Sequence, residues 1–403
     1  MKCQILPLSF AASLLLAPAF ATAAPLSKIP GATVIYPYFE VDLDAPDGRS
    51  TLISVGNVGS EPVVAHATIW SDRGVPVYAW DIYLGKDALV TYNLRDILAY
   101  GNVTPTSAPA SFGNCGSPVA TPALLGNDLL LLQKKLTGQN IGSNNCASDP
   151  RADNTLATGS VTIDTVKDCR SGPNQLYPTS AGYFSGNDPR ASTRKGLWGD
   201  FTLVDPAENF AQGYEAYALG LASNPANSRF GDWESHPAVA REALSRDWDC
   251  GRMRFLQGGP FNARTSLFVY TPPPQGPEDN ECTLGLGSLR RWDFLIFDEE
   301  GQMKTLEREN RHYRTSGRLE IGSDLETGQA AGFVELKTYV SGDWGGVPAP
   351  DRPIQHLLLG ALQASGRFAV GVAGDALENE SCYGSRNQDS ASQPAGLEGS
   401  HGD

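Results

Sequence analysis

Five pairs of similar segments occur in the same order in the two halves of this chain of 403 residues. The pairs are 51–55 with 265–269, 69–74 with 296–301, 92–98 with 318–325, 159–163 with 332–336, and 197–201 with 358–362. Their β-branched and aromatic residues are typical of strands. Such an order is hard to produce by chance in unrelated folds. The sequence therefore predicts an all-β protein in which one β-sandwich is present twice in tandem.

Breaks in the strand pattern suggest the boundaries of the domains. Pro, Ser, Gly and Asn dominate residues 99–158, which we interpret as a loop insertion in the first sandwich (24–226), with a short helix at 129–136. An N-cap serine, Ser235, and an apolar stripe behind it predict a helical connector at 227–256. A second sandwich is expected at 257–384, followed by a disordered polar tail at 385–403.

Residues 354–362 fit two structures. Their apolar positions have helical spacing, but the fifth segment pair requires a strand there. We follow the segment pair and expect a strand.

The first 23 residues have the pattern of a secretory signal peptide. Lys2 precedes an apolar run from Ile5 to Ala17, and Ala21-Thr22-Ala23 is a small-x-small cleavage site. The same rule allows cleavage two residues earlier. No other apolar stretch is long enough for a membrane anchor, so we expect export to the periplasm, the cell surface or the medium, without membrane insertion.

Six of the seven cysteines follow this leader: Cys115, Cys146, Cys169, Cys250, Cys282 and Cys382. An even number in an exported chain favours three disulfides, and no C-x-x-C spacing suggests a zinc or redox site. Because Cys115 and Cys146 both lie in the insertion, we expect them to pair with each other.

The formal net charge of −14 at pH 7 excludes some classes of partner. Binding to nucleic acid or to anionic lipid depends on clustered Lys and Arg. The charge therefore argues against nucleic acid and the membrane surface as partners. The expected partner is an unknown extracellular protein or a glycan.

One segment has the oxygen-rich character of a calcium loop. Asp42, Asp44 and Asp47 alternate with other residues before Gly48, an arrangement of hard ligands that suits Ca²⁺. The spacing is one residue longer than D-x-D-x-D-G, and the closing glutamate of an EF-hand is missing. A solvated turn is the favoured interpretation, with calcium as the alternative and no other cofactor expected.

Enzymatic motifs are absent from the sequence. The five histidines do not form an H-x-x-x-H or H-E-x-x-H motif, and the chain has no G-x-S-x-G elbow, Walker loop or G-x-G-x-x-G. His66 opens a predicted strand and is interpreted as structural. Catalysis is unsupported, and no catalytic residue is assigned.

Clustered aromatic residues have two interpretations. They are Tyr36, Tyr38, Phe39, Trp70, Tyr78, Trp80, Tyr83, Trp198, Phe201, Phe210 and Tyr214. Exposed rings would stack on sugars, whereas buried rings would form the core of a sandwich. Because Trp70 matches Phe297 in the second copy, we favour the core.

Four segments carry a resemblance to a known family: 36–42, 70–77, 93–96 and 198–213. In them the chain resembles a family of uncharacterised secreted bacterial proteins. The resemblance covers the first copy well and the second poorly. It implies immunoglobulin-like or fibronectin-type sandwiches and supplies no catalytic residues.

The sequence thus predicts an exported binding or surface-structural protein of the adhesin or matrix type. The alternative is a secreted hydrolase acting on polysaccharide, or a carbohydrate-binding module. Paired carboxylates in an open cleft would favour the hydrolase, and a row of exposed aromatic rings would favour the module. Asp72 and Asn93 are expected to be architectural, as caps of a hairpin turn and of a helical turn.

Overall fold

The computed structural model is predominantly β, as the sequence predicts. It describes residues 30–110, 112, 114–139, 155–170, 177–178, 180, 183, 190–192, 194–219, 251–260, 262–271, 290–307, 315–340, 352–353, 357–364 and 368–372. The expected leader, most of the expected connector, the expected tail and four of the cysteines (Cys146, Cys250, Cys282 and Cys382) lie outside these residues. We call residues 30–219 the N-half and residues 251–372 the C-half.

Two antiparallel sheets form the N-half. Its elements are β1 (Thr33–Asp42), β2 (Ser50–Asn57), β3 (Val63–Ser71), β4 (Pro76–Leu84), β5 (Leu89–Asn93), α1 (Leu94–Leu98), α2 (Asn127–Thr137), β6 (Leu156–Val166), β7 (Leu197–Asp205), β8 (Phe210–Glu215) and β9 (Tyr217–Leu219). The sheet orders are β4-β3-β6-β1-β9 and β5-β2-β7-β8. Helix α2 confirms the helix predicted in the insertion, and α1 confirms the helical turn capped by Asn93.

Two antiparallel sheets also form the C-half. Its strands are β10 (Gly251–Leu256), β11 (Arg264–Tyr270), β12 (Arg290–Phe297), β13 (Met303–Glu307), β14 (Ser316–Glu320), β15 (Ala331–Val340), β16 (Arg352–Pro353), β17 (Leu357–Ala364) and β18 (Phe368–Val372). The orders are β10-β15-β12-β13, with β16 beside β15, and β14-β11-β17-β18.

Strands β10 and β17 decide two sequence predictions. Residues 251–256, expected at the end of the helical connector, are a strand, because buried Met253 and Phe255 alternate with exposed Arg254. Residues 357–364 are also a strand, as the fifth segment pair requires and against their helical spacing.

The two halves have the same strand order. When β1–β6 are matched with β10–β15, and β7 and β8 with β17 and β18, both sheet orders coincide, and β9 and β16 are additions. Ile69 pairs with Val161, and its counterpart Ile296 pairs with Val334, so the second and fourth segment pairs fall at equivalent places.

The fifth segment pair identifies the right strands in the wrong register. Ile53 on β2 pairs with Phe201, whereas its counterpart Leu267 on β11 pairs with Gly360. The structural match is therefore shifted by two residues from the sequence match. In the sequence comparison, Gly199 is aligned with Gly360. A shift of two residues leaves each side chain on the same face of the strand, so the burial pattern does not distinguish the wrong alignment from the right one.

A threonine joins the two sheets in each half. The hydroxyl of Thr51 donates to the carbonyl of Glu40 and accepts from its N–H, both at 3.0 Å. The hydroxyl of Thr265 makes the same two bonds to Leu256, at 2.9 and 3.1 Å. Both threonines are buried and open the first segment pair. One side chain thus replaces two main-chain bonds where the first strand passes the opposite sheet.

A glycine faces a phenylalanine ring at equivalent places in both halves. A Cβ on Gly159 would clash with the Trp70 carbonyl oxygen and meet the ring of Phe39. A Cβ on Gly332 would clash with the Phe297 carbonyl oxygen and meet the ring of Phe255. The glycines that open the fourth segment pair are therefore required by close packing of the first strand.

The matched hairpin turns share one hydrogen-bond pattern. The N–H of Gly74 donates to the Ser71 carbonyl at 2.9 Å, and that of Gly301 donates to the Asp298 carbonyl at 3.1 Å. Both glycines have left-handed backbone, with φ of 77° and 79°. The side chain that caps the first turn is Ser71, which accepts from the N–H of Val75, and its counterpart Asp298 does the same for Gln302. This is the role that the sequence analysis gave to Asp72.

The strand order differs from that of an immunoglobulin constant domain in the placement of the first, fourth and seventh strands. The central pairs β3–β6 and β2–β5 are those of that fold. In the constant domain the first strand pairs with the second and the seventh with the sixth. Here β1 lies beside β6 and β7 lies beside β2, so these two strands have exchanged sheets. The fourth strand also differs, because β4 lies beside β3 and not in the sheet of β5.

The disulfide described in the structure corrects a sequence prediction. Cys115 is bonded to Cys169, not to Cys146. Phe112 packs on Tyr83 with ring centroids 4.9 Å apart, and this contact carries the insertion back over the sheet. Cys115 then reaches the segment that leaves β6 and contains Cys169. The expectation failed because burial, and not only the bond, orders this part of the insertion: Cys115 and Val119 are both buried.

We predict that Gly159→Ala and Gly332→Ala each destabilise their half by about 1–3 kcal/mol, because the added methyl meets a main-chain carbonyl that cannot move aside. The measurement is urea unfolding followed by tryptophan fluorescence. The control is Gly213→Ala on β8, where the nearest atom would lie 3.7 Å away. Equal stability of all three variants would contradict the close packing.

Candidate functional site

Aromatic rings fill the contact between the two halves. Phe268 on β11 lies against Tyr38 on β1, with ring centroids 4.9 Å apart, and at 6.3 Å from the ring of Tyr214. The hydroxyl of Tyr214 donates to the Gly360 carbonyl at 2.9 Å. Strand β11 is consequently buried on both faces, with Leu267 in the core of the C-half and Phe268 against the N-half.

A buried ion pair crosses the same contact. The Arg318 guanidinium donates from one nitrogen to both carboxylate oxygens of Glu40, at 3.0 and 3.2 Å, and Glu40 is 2% exposed. Arg318 also donates to Glu320 at 2.7 Å and to the Ser266 hydroxyl at 3.1 Å. Burial alone would lower the pKa of Arg318, but Glu40 and Glu320 raise it well above its ordinary value. The cation is therefore fixed in its charged form.

A cleft of about 770 Å³ opens beside this ion pair, with walls from both halves. Its size falls in the range of sites for small ligands. The N-half contributes Tyr38, Glu40, Arg49 and Glu208, and the C-half contributes β14, the turn after β10 and the turn after β14. The cleft is our candidate functional site.

Arginine–carboxylate pairs line the cleft. At the mouth, Arg264 of the C-half donates to Glu208 of the N-half at 2.7 Å, and these side chains are 51% and 37% exposed. Arg264 also donates to Gln363 at 3.2 Å. On the N-half wall, Arg49 donates to Asp205 at 2.8 Å. The cleft thus presents planar donors and acceptors side by side.

Glu40 and Glu320, the two carboxylates beside Arg318, are not arranged as a glycosidase pair. Such a pair needs one carboxyl group free to protonate the leaving group and a second free to act on the sugar or on water. Glu40 and Glu320 both accept from the guanidinium of Arg318, which lies between them. This arrangement suits hydrogen bonding to a ligand better than proton transfer.

Arginine takes the central place in the candidate calcium loop. The Arg95 guanidinium, 5% exposed, donates to the carbonyls of Ala45 and Arg49, the latter at 2.6 Å. One oxygen of Asp42 accepts from the N–H groups of Asp44 and Ala45, each at 3.1 Å. The loop carbonyls therefore face a guanidinium, and the Asp42 carboxylate caps main-chain N–H groups.

Asp47, the third residue of the candidate calcium set, is exposed in the turn. In the part of the chain that the structure describes, no three His, Cys, Asp or Glu side chains are grouped to hold a metal ion.

A row of polar side chains crosses the outer face of the β4-β3-β6-β1 sheet. His66 lies between Asp81 on β4 and Asp164 on β6, and Thr33 on β1 lies opposite Asp164. Arg190 covers the row and donates to both oxygens of Asp81, at 2.7 and 2.9 Å. All five side chains are buried.

The protonation of His66 and Asp81 follows from this packing. Burial and the charge of Arg190 lower the pKa of His66, although Asp81 opposes them. The ring is therefore neutral at pH 7, and Nδ1 donates to Asp81 at 2.7 Å. Burial would raise the pKa of Asp81, but His66 and Arg190 lower it below its ordinary value.

Asp164 at the other end of the row behaves differently. Burial raises its pKa to about 6, despite hydrogen bonds from Thr33 and Tyr183 and the charge of Arg190. The side chains of the row hydrogen-bond to one another and are buried from solvent. The row is therefore structural, which is the role that the sequence analysis expected for His66.

The aromatic candidates belong to the core. Nine of the eleven are buried, and the two half-buried ones are Tyr83 and Trp198. The core interpretation is confirmed for the nine. The described residues offer no row of exposed rings for stacking on sugars.

Sequence reasoning named neither Arg318 nor Glu40 as a site residue. Both lie in segments that it quoted for other reasons, the third segment pair and the family resemblance. The sequence did contain a signal for them, namely a charged residue within a run of strand-forming residues. A charged side chain that is buried in a strand needs a partner of opposite charge.

The sequence matches no family model, and no curated protein or solved structure shows significant similarity to it. The resemblance to secreted bacterial proteins therefore stays a prediction. Among the described residues, no helix is long and apolar enough to cross a membrane.

We predict that Arg95→Ala lowers the free energy of unfolding by about 3 kcal/mol, because two loop carbonyls lose a charged donor. Urea unfolding measures this loss. Arg194→Ala is the control, since this exposed arginine also donates to a carbonyl, that of Pro62, at 3.2 Å. We expect calcium to leave the melting temperature of the unmodified chain unchanged. A calcium-dependent rise would instead support the calcium loop.

We predict that Asp164→Asn changes the pH dependence of stability. Because the folded pKa is raised to about 6, the folded chain binds this proton more tightly than the unfolded chain, and the stability it contributes is lost as pH rises through about 6. The variant cannot titrate, so its stability relative to the parent should rise from pH 4 to pH 7.5, by up to about 3 kcal/mol. Urea unfolding across this range tests it, with exposed Asp47→Asn as the control. A constant difference would contradict the assignment.

Proposed function

We propose that the chain is an exported binding or surface-structural protein built from two tandem sandwiches of immunoglobulin-like type. The shared strand order of the halves, their equivalent threonine and glycine contacts, and the central pairs β3–β6 and β2–β5 support the tandem assignment. The secretory pattern of residues 1–23 supports export, and the disulfide between Cys115 and Cys169 fits an oxidising compartment.

The observation that carries a binding role is the cleft between the halves. Its polar groups are held in place by pairing with one another, as Arg264 is with Glu208 and Arg318 with Glu40. Groups fixed before a ligand arrives lose little entropy on binding, which favours recognition. A hydrolase is the weaker alternative, because one guanidinium engages both Glu40 and Glu320.

Two measurements test this proposal. Cell fractionation of the full chain and of a chain lacking residues 1–23 tests export, and we expect the first outside the cytoplasm and the second inside it. An array of immobilised glycans and extracellular proteins, read with and without calcium, tests binding. Release of reducing ends from a polysaccharide by the purified chain would show an enzyme and would refute the binding role.

A further inference from the structure

We infer that the cleft between the halves binds a neutral, polyhydroxylated segment of a glycan. The inference rests on the proposed binding function and adds the place and the chemical class of the ligand. It starts from the balance of groups on the cleft walls.

The charges of the cleft nearly cancel. Its described lining contains three arginines and four carboxylates, the arginines being Arg49, Arg264 and Arg318. Each arginine donates to a carboxylate, at distances from 2.7 to 3.0 Å. An anionic ligand would meet the carboxylates and a cationic ligand the guanidinium groups. Neither kind of charged ligand would meet groups of the opposite charge alone, so the cleft favours a ligand without net charge.

The geometry of these groups suits neighbouring hydroxyls. A hydroxyl both donates and accepts, and two adjacent hydroxyls can contact the two oxygens of a carboxylate or two N–H groups of a guanidinium. The mouth supplies such groups in Glu208, Arg264 and Gln363, which lie within one hydrogen-bonded cluster. Half-exposed side chains in this cluster can reach a ligand while keeping their mutual bonds.

Ser316 supplies an independent observation. The residue belongs to the lining of the cleft, its side chain is buried directly behind that lining, and its hydroxyl finds no hydrogen-bond partner among the described residues. Such a group costs free energy unless something else satisfies it. A ligand hydroxyl entering the cleft would be a suitable partner. At the rim, Asn262 has left-handed backbone with φ of 44°, a conformation that asparagine adopts more readily than most residues.

The scarcity of exposed rings defines the mode of binding. Tyr38 is the one aromatic residue in the described lining, and it is 2% exposed because it packs on Phe268. Stacking on a pyranose therefore contributes little. Binding should be driven by hydrogen bonds, with a favourable enthalpy and a small change in heat capacity.

Isothermal titration calorimetry of the purified chain tests the inference. The probes are hexasaccharides of glucose, mannose and xylose, an oligogalacturonate, inorganic phosphate and an uncharged oligopeptide. We expect at least one neutral hexasaccharide to bind, with a favourable enthalpy that varies little with temperature, and the other three probes to give no heat of binding.

Three variants locate the site. Arg264→Gln and Ser316→Ala should each weaken binding about tenfold, since each removes a hydrogen bond to the ligand. Ser316→Ala should not lower the melting temperature, because its hydroxyl has no described protein partner to lose and its removal relieves the cost of an unsatisfied buried group. The control is Arg254→Gln, an exposed arginine of the C-half outside the cleft, which should bind like the parent.

The possible failures are distinguishable. Glycan binding that is unaffected by both cleft variants would overturn the site while leaving the proposed binding function intact. Binding of oligogalacturonate, phosphate or peptide that Arg264→Gln abolishes would overturn the ligand class. If no hexasaccharide binds, the inference is wrong, and the proposed function is judged by the fractionation and array experiments alone.

Discussion

The ion pair between Glu40 and Arg318 holds together the two parts of this molecule. The side chain of Glu40 is 2% exposed and that of Arg318 is 19% exposed, so separating the halves would leave a buried carboxylate and a largely covered guanidinium to be hydrated again. Truncating Arg318 alone would take from the buried Glu40 the guanidinium that donates to both of its oxygens, which costs more than removing both partners. The ring of Phe268, over which Arg318 lies at 5.8 Å, excludes water from one side. The position of both cleft walls depends on this small group of side chains.

The same local contacts occur at equivalent positions of the two halves. A threonine hydroxyl serves the first strand in both, and a glycine admits a phenylalanine ring beneath a neighbouring carbonyl in both. The outer faces of their first sheets differ. In the N-half, the buried row around His66 lies beneath Arg190 and beside the segments joined by Cys115 and Cys169. The shared contacts maintain the strand order of both halves, and the differences distinguish one half from the other.

The sequence allowed the class, several strands and one hairpin of each half to be predicted, because strand patterns and glycine turns depend on neighbouring residues. Strand β10 was wrongly predicted as part of the helical connector. The segment pairs included Thr51 and Gly159 but did not explain them. Their roles depend on contacts with the first strand and its neighbours, which only the folded structure shows. The register of β17 and the partner of Cys115 were predicted wrongly. Both depend on contacts between distant segments, since Cys115 and Cys169 are separated by 54 positions. Arg318 was missed for the same reason, because its meaning comes from Glu40 in the other half.

The pairing of β1 has a consequence for the order of folding. Thr33 lies beside Asp164 on one side and beside Leu219 on the other, so the first strand of the N-half has neighbours that come much later in the chain. A growing chain cannot place β1 until β6 has been made, and the sheet is complete only after β9. Contacts between such distant segments make folding slow, because a long loop must close before they form. The emerging chain therefore stays open for longer than a chain of local hairpins would, and the export that we propose would need it in this state.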